Sequence, residues 1–167
     1  MTQPKKKRDL LNILRYVLLL ILAVYITLLF LAKGGRSATF EQVSDAVKKA
    51  ADFSKMELVD SRRFRQFYGL NENEFEGVMC YYTNQTMEVE EVLLIKAKTA
   101  GDAQKAKEAA EARVQTQIKN FEGYGAAQVK LLKNAVVKVR GDYMFMAVSP
   151  DAEKLEKAFK KSLSYIR

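Results

Sequence analysis

Between Tyr16 and Ala32 the chain runs seventeen residues without a charge, a glycine or a proline. Twelve of these are Val, Leu, Ile or Phe, residues that favour insertion and together contribute roughly −4 to −7 kcal/mol on membrane-transfer scales. Thr27 interrupts the run mildly, because in a helix its hydroxyl can return to the carbonyl of Ala23. As a helix the run is about 26 Å long, at the short end of a bilayer core. Arg15 and Lys33 bracket it with aliphatic stems that reach the interfaces. A soluble core helix needs a polar face, and this run has none.

A cleaved signal fits less well than an anchor. Apolar regions of signal peptides stop at about 7–15 residues and precede small residues spaced for cleavage. A cut after Ala32 puts Phe30 at the third position back, and a cut after Ala38 puts Arg36 there. The lone cysteine, Cys80, is too distant to accept a lipid beside the run. Lys5, Lys6, Lys7, Arg8 and Arg15 precede the apolar stretch, whereas only Lys33 and Arg36 follow closely. That asymmetry predicts a cytosolic basic segment at 1–15, a transmembrane helix Tyr16–Ala32, a linker at 33–38 and an extracytoplasmic domain at 39–167. The expected location is the cell membrane, crossed once.

The net charge of +8 divides evenly, +4 before residue 33 and +4 after it. Half of the basicity is thus topogenic, and the exported part attracts anionic surfaces only mildly. No dense stripe of cations with interleaved aromatics is present, so no nucleic-acid partner is expected. With one cysteine the domain holds itself by packing and not by an internal disulfide.

Beyond the linker, Thr39-Phe40-Glu41-Gln42 has the capping-box pattern and opens a helix carrying Val43, Ala46, Val47 and Ala50. Ser61 is the expected cap of a shorter helix with Phe64, Phe67 and Tyr68, closed by Gly69. Residues 78–83 and 89–98 read as strands, and 102–122 as the longest helix, with small residues at its start and larger ones at its end. Gly141-Asp142, between β-rich runs at 135–140 and 143–148, predicts a type II′ hairpin. Ser149-Pro150 then opens a last helix with Leu155, Phe159 and Leu163 on its apolar stripe. The predicted fold is α+β, a four-stranded and mainly antiparallel sheet with helices on one face, preceded by the transmembrane helix.

The chain contains no histidine. This removes the usual general base, the His-activated nucleophiles and the commonest zinc ligand. No serine is followed three residues later by lysine, and Cys80 reads as a small core hydrophobe in mid-strand. No catalytic, cofactor-binding or metal-ligating residue is assigned, and no cofactor is expected. In NENEFE, Phe75 occupies the place of a third calcium ligand, so the stretch reads as an acidic turn. Arg140-Gly141-Asp142 reads as the hairpin turn. Two groups of candidate interaction residues remain. Phe121, Glu122, Gly123, Tyr124 and Gly125 join aromatic rings to glycines where a helix ends. Lys130, Lys133, Lys138 and Arg140 supply cations for an anionic polymer.

The blocks YGL at 68–70, VEEVLLIKAK at 89–98, FEGYG at 121–125 and LLKNAVVKVRGDYMFMAVS at 131–149 resemble the family of the domain of unknown function 4358, over roughly residues 40–160. The resemblance implies a small envelope protein of a Gram-positive bacterium. Many members look like lipoproteins, and this chain departs from them in lacking the lipid-accepting cysteine. The family supplies no activity and no catalytic residues. The combined expectation is a non-enzymatic, membrane-anchored accessory domain that docks an envelope protein, with an anionic wall polymer or small ligand as the alternative.

Overall fold

A computed structural model describes residues 14–27 and 38–164. Residues 1–13 of the predicted basic segment, residues 28–32 of the apolar run, the linker to residue 37 and residues 165–167 lie outside the described residues. The chain divides into two compact units, an N-terminal one that includes residues 14–27 and a domain from Ala38 onward. In the first, residues 14–27 form helix α1, and Thr27 Oγ1 donates to the carbonyl of Ala23 at 2.8 Å as the sequence predicts. No helix among the described residues is long and apolar enough to cross a membrane.

In the domain, α2 (Phe40–Lys48) starts at the expected capping box, with Thr39 and Gln42 each bonding the other's backbone. A two-residue strand β1 (Glu57–Leu58) leads to α3 (Ser61–Tyr68). The cap of α3 is Asp60, whose carboxylate accepts from the Arg63 N–H at 2.7 Å, and Ser61 is already the first helical residue. Its hydroxyl is occupied elsewhere, donating to Glu72. Gly69, at φ +68°, ends the helix in the left-handed conformation that favours glycine. A 3₁₀ turn at Glu72–Glu74 precedes β2 (Gly77–Tyr82) and β3 (Glu91–Lys96). Helices α4 (Ala100–Phe121) and α5 (Ala126–Lys133) follow, then the hairpin β4 (Val136–Arg140) and β5 (Tyr143–Val148), and finally α6 (Ala152–Ser164). Arg140 pairs with Tyr143 across the two-residue loop, with Gly141 at φ +60° and no positive φ at Asp142. That is the expected type II′ turn.

The sheet is wholly antiparallel, in the order β1-β2-β3-β5-β4. It has five strands where the sequence predicts four. Two residues are too few to display alternation, so β1 has no periodic signal; it is held by pairing with β2 and by the Val59 N–H donating to the Cys80 carbonyl at 2.8 Å.

Helices cover both faces, not one. The register puts Cys80, Leu93, Ile95, Met144 and Met146 on the face packed by α3 and α4. Met79, Val92, Leu94, Phe145 and Ala147 fall on the opposite face, where Phe145 stacks on Phe159 of α6 with centroids 4.9 Å apart. The correction follows from β3 and β5. Both parities of these strands are large and apolar, and a sheet with two apolar faces must bury both. The small residues expected at the start of α4 act as predicted: Ala103, Ala106 and Ala110 are fully buried and let the helix backbone approach the sheet.

On the second face, a Cβ placed on Gly77 would lie 2.5 Å from the ring of Phe40. The glycine gives the start of α2 its seat on the sheet. We expect Gly77→Ala to cost about 1–3 kcal/mol, the range of an overpacked core position, read as a lower urea midpoint of the full chain in detergent. A neutral substitution would show that Phe40 does not rest on this strand.

Candidate functional site

The sequence-predicted residues separate into two places. Phe121 ends α4 with its ring buried, Glu122 is the C-cap, and Gly123 takes φ +95°. Tyr124 is 65% exposed, its ring 5.5 Å from that of Phe121. The Gly125 N–H donates to the Phe121 carbonyl at 2.9 Å, and a Cβ on Gly125 would meet the Phe121 ring at 2.7 Å. The five residues thus form the α4–α5 turn, beside a shallow surface depression of about 290 Å³ that Ala126 and Val129 also line. Its one charged side chain is Glu122, so it offers packing without converging polar groups.

Lys130 and Lys133 occupy the last turn of α5, while Lys138 and Arg140 alternate on β4. The structure brings Lys133 and Lys138 into one groove of about 500 Å³ along the β4 edge, and leaves Lys130 and Arg140 outside its lining. The floor is residues 135–138 of the chain. One wall comes from α4 through Val114, Gln115 and Ile118, the other from α6 through Glu153 and Glu156. Two acids of the walls are already paired: Glu156 with Lys160 at 2.6 Å, and Glu111 with Lys107 at 3.5 Å. Lys133 and Lys138 have no ion pair among the described residues. The groove is of mixed sign: Lys133, Lys138 and the carboxylate of Glu153 at its lip have no ion pair among the described residues.

The densest polar constellation is one that sequence reasoning missed. Glu91 on β3 is 4% exposed and faces α4. Arg113 donates to its Oε2 from Nε at 3.2 Å and from Nη2 at 3.1 Å, and the Tyr68 hydroxyl donates to Oε1. The guanidinium carbon lies over the ring of Phe67, 3.9 Å from its centroid. Cys80 Sγ is 3.8 Å from the Tyr68 hydroxyl. Burial, then the charge of Glu91, pushes both the Tyr68 phenol and the Cys80 thiol well above their ordinary values. Cys80 is therefore a thiol and not a nucleophilic thiolate. Both oxygens of Glu91 are engaged, and the cluster ties α3 and α4 to the sheet. Its sequence signal was parity: Glu91 shares a face with Leu93 and Ile95, and Arg113 stands three residues beyond Ala110 on the buried stripe of α4. Among the described residues no group of three acidic or thiol side chains is placed to hold a metal ion.

The model of the family Domain of unknown function (DUF4358) matches residues 49–149. The chain belongs to that family. The DUF4358 match spans β1 to β5 with α3, α4 and α5, and so contains the Glu91 cluster, the α4–α5 turn and the β4 groove. Helices α2 and α6, which cover the second face, lie outside the matched residues. No curated protein and no solved structure matches the chain.

Removing Arg113 leaves a buried, uncompensated carboxylate. Arg113→Met is expected to lower stability by about 3–5 kcal/mol, whereas adding Glu91→Met to it should recover part of the loss. Denaturant titration of the single and double variants decides this, and a double variant no better than the single one contradicts it. The two raised pKa values also set a pH dependence. The unfolded chain releases the Cys80 and Tyr68 protons at about 8.5 and 10, before the folded chain does. Their contribution is thus complete below about pH 8.5 and is lost as pH rises above it. The urea midpoint should fall from pH 8.5 to 10.5, and the Tyr68→Phe, Cys80→Ala variant should show a shallower fall. A flat wild-type profile would refute the assignment.

Proposed function

We propose that this DUF4358 chain is a membrane-tethered docking module: helix α1 and the apolar residues after it anchor the chain, and the α+β domain binds an envelope protein on the outer side. The observation that carries the tether is exposure. Eleven large apolar side chains of residues 14–27, pointing to every side of the helix, are each 43–71% exposed. Among the described residues of the domain the exposed large hydrophobics are only Leu58, Met87 and Tyr124. A chain that buries its other apolar surface so completely needs a solvent for this helix, and lipid is that solvent. The described fourteen residues measure about 21 Å, and the uncharged run continues in the sequence to Ala32, enough to complete a span. The five cations ahead of the run favour the N-terminus inside.

A docking role without catalysis is supported by the site. The absence of histidine from the chain, the protonated thiol and the fully engaged Glu91 offer no activated nucleophile or base. Tethering raises the effective concentration of a membrane partner, so a modest groove suffices.

Protease added to wall-stripped cells should digest the domain, and alkaline carbonate should leave the intact chain in the membrane pellet. A domain protected in intact cells, or a chain released by carbonate, would overturn the proposal.

A further inference from the structure

The two edges of the sheet differ. β1 is two residues long, and its Glu57 is tied down: Arg63 donates to the Tyr82 hydroxyl and pairs with Glu57 at 3.9 Å, and Asn84 donates to Glu57 at 3.2 Å. β4 is five residues long. Ladder parity shows which of its main-chain groups are free. The Ala97 N–H donates to the Asp142 carbonyl at 2.8 Å, which continues the β3–β5 register and makes Met144, Met146 and Val148 the β5 residues that bond β3. Tyr143, Phe145 and Ala147 therefore bond β4, through Arg140, Lys138 and Val136. The N–H and C=O groups of Val137 and Val139 point away from the sheet, and no described residue bonds them.

This edge opens into the groove. Its walls come from helices on opposite faces, α4 and α6, so the groove lies in the plane of the sheet, where the next strand would run. The side chains along it choose the occupant. Lys138 and Arg140 point to the α6 face, Lys133 lines the groove together with Lys138, and Arg140 lies one strand repeat beyond that lining. None of the three has an ion pair among the described residues. Val137 and Val139 point to the α4 face and pack against its core, and Val137 lines the groove with Val114 and Ile118. A second copy of the chain paired antiparallel on β4 would set these cations against their own kind on the same face, which disfavours it. A segment alternating acidic and apolar residues matches both faces at once.

We propose that the free edge of β4 receives an extended acidic–apolar segment of a partner polypeptide as a sixth strand, with main-chain bonds at Val137 and Val139 supplying affinity and Lys133, Lys138 and Arg140 selecting acidic side chains. The inference rests on the docking role proposed above and specifies its partner's chemistry.

The test uses the full chain in detergent and three capped hexapeptides: Glu-Val-Glu-Val-Glu-Val, its Lys-Val counterpart, and the acidic peptide N-methylated at every residue. The acidic peptide should bind about tenfold more tightly than either of the others and slow amide exchange at Val137 and Val139 by a similar factor. Val139→Pro removes one outward N–H without touching a β4–β5 bond and should weaken binding about tenfold. Lys138→Glu, which does not touch the backbone, should reverse the preference between acidic and basic peptides. Equal binding of the N-methylated or basic peptide, or no protection at the two valines, overturns the proposal. So does protection that appears without peptide as protein concentration rises, which assigns the edge to a second copy. A photo-crosslinker at Gln115 in intact membranes separates the two levels. Capture of a partner there with no peptide binding rejects the strand mode alone, whereas absence of crosslinks from the whole domain surface rejects docking itself.

Discussion

The domain is organised by two strands that have no polar side. Leu93 and Ile95 of β3 face one way while Val92 and Leu94 face the other, and all four are buried; on β5, Met144 and Met146 oppose Tyr143 and Phe145 in the same manner. Neither face can be left to water, because each buried apolar side chain contributes on the order of 1.5–3 kcal/mol. The sheet must therefore lie between two helical layers. The alanines of α4 make a close approach on one side, and the stacked Phe145 and Phe159 fill the other. The chain's entry is tied to this centre as well, through the Tyr143 hydroxyl donating to the Ala38 carbonyl at 2.6 Å. The family match covers the sheet and the α3–α5 layer, so the second layer is built from segments on either side of the matched region.

Within the first layer the polar cluster around Glu91 has a different role from the apolar contacts. A buried ion pair gains Coulomb attraction but loses hydration of both charges, and its net effect on stability is small or negative. What it supplies is definition. A carboxylate that accepts from Arg113 on α4 and Tyr68 at the end of α3 has one satisfied arrangement, and a helix shifted by a turn along the sheet would leave it unpaired. Alanine-lined α4 presents little shape to prevent such a shift, which explains why the pin falls there.

Much of the fold was legible in local signals. The capping box at Thr39, the glycine stops at Gly69 and Gly123, the long helix and the II′ hairpin each depend on a few neighbouring residues, and each forms as read. The failures share a cause. β1 is too short to have a period, the cap of α3 moved from Ser61 to Asp60 because both residues can cap and Glu72 engages the serine, and the second helical layer depended on which strands became central. The candidate site divides in the same way. Lys133 and Lys138 were recognisable as neighbouring cations, but the groove between α4 and α6 is made by residues some forty positions apart, and the acids lining it carry no local mark. The aromatic–glycine cluster at Phe121–Gly125 lies at the turn from α4 to α5.

By itself, then, the sequence determined four of the five strands, most of the helices, the uncharged apolar run from Tyr16 to Ala32 and the absence of histidine, because each follows from composition or from periodicity within a few turns. Only the tertiary structure decided the strand order, and with it that β3 and β5 are central, that Glu91 is buried against Arg113, and that β4 is left with an open edge. Strand neighbours are chosen by summing contacts over the whole sheet, and no single segment carries that sum.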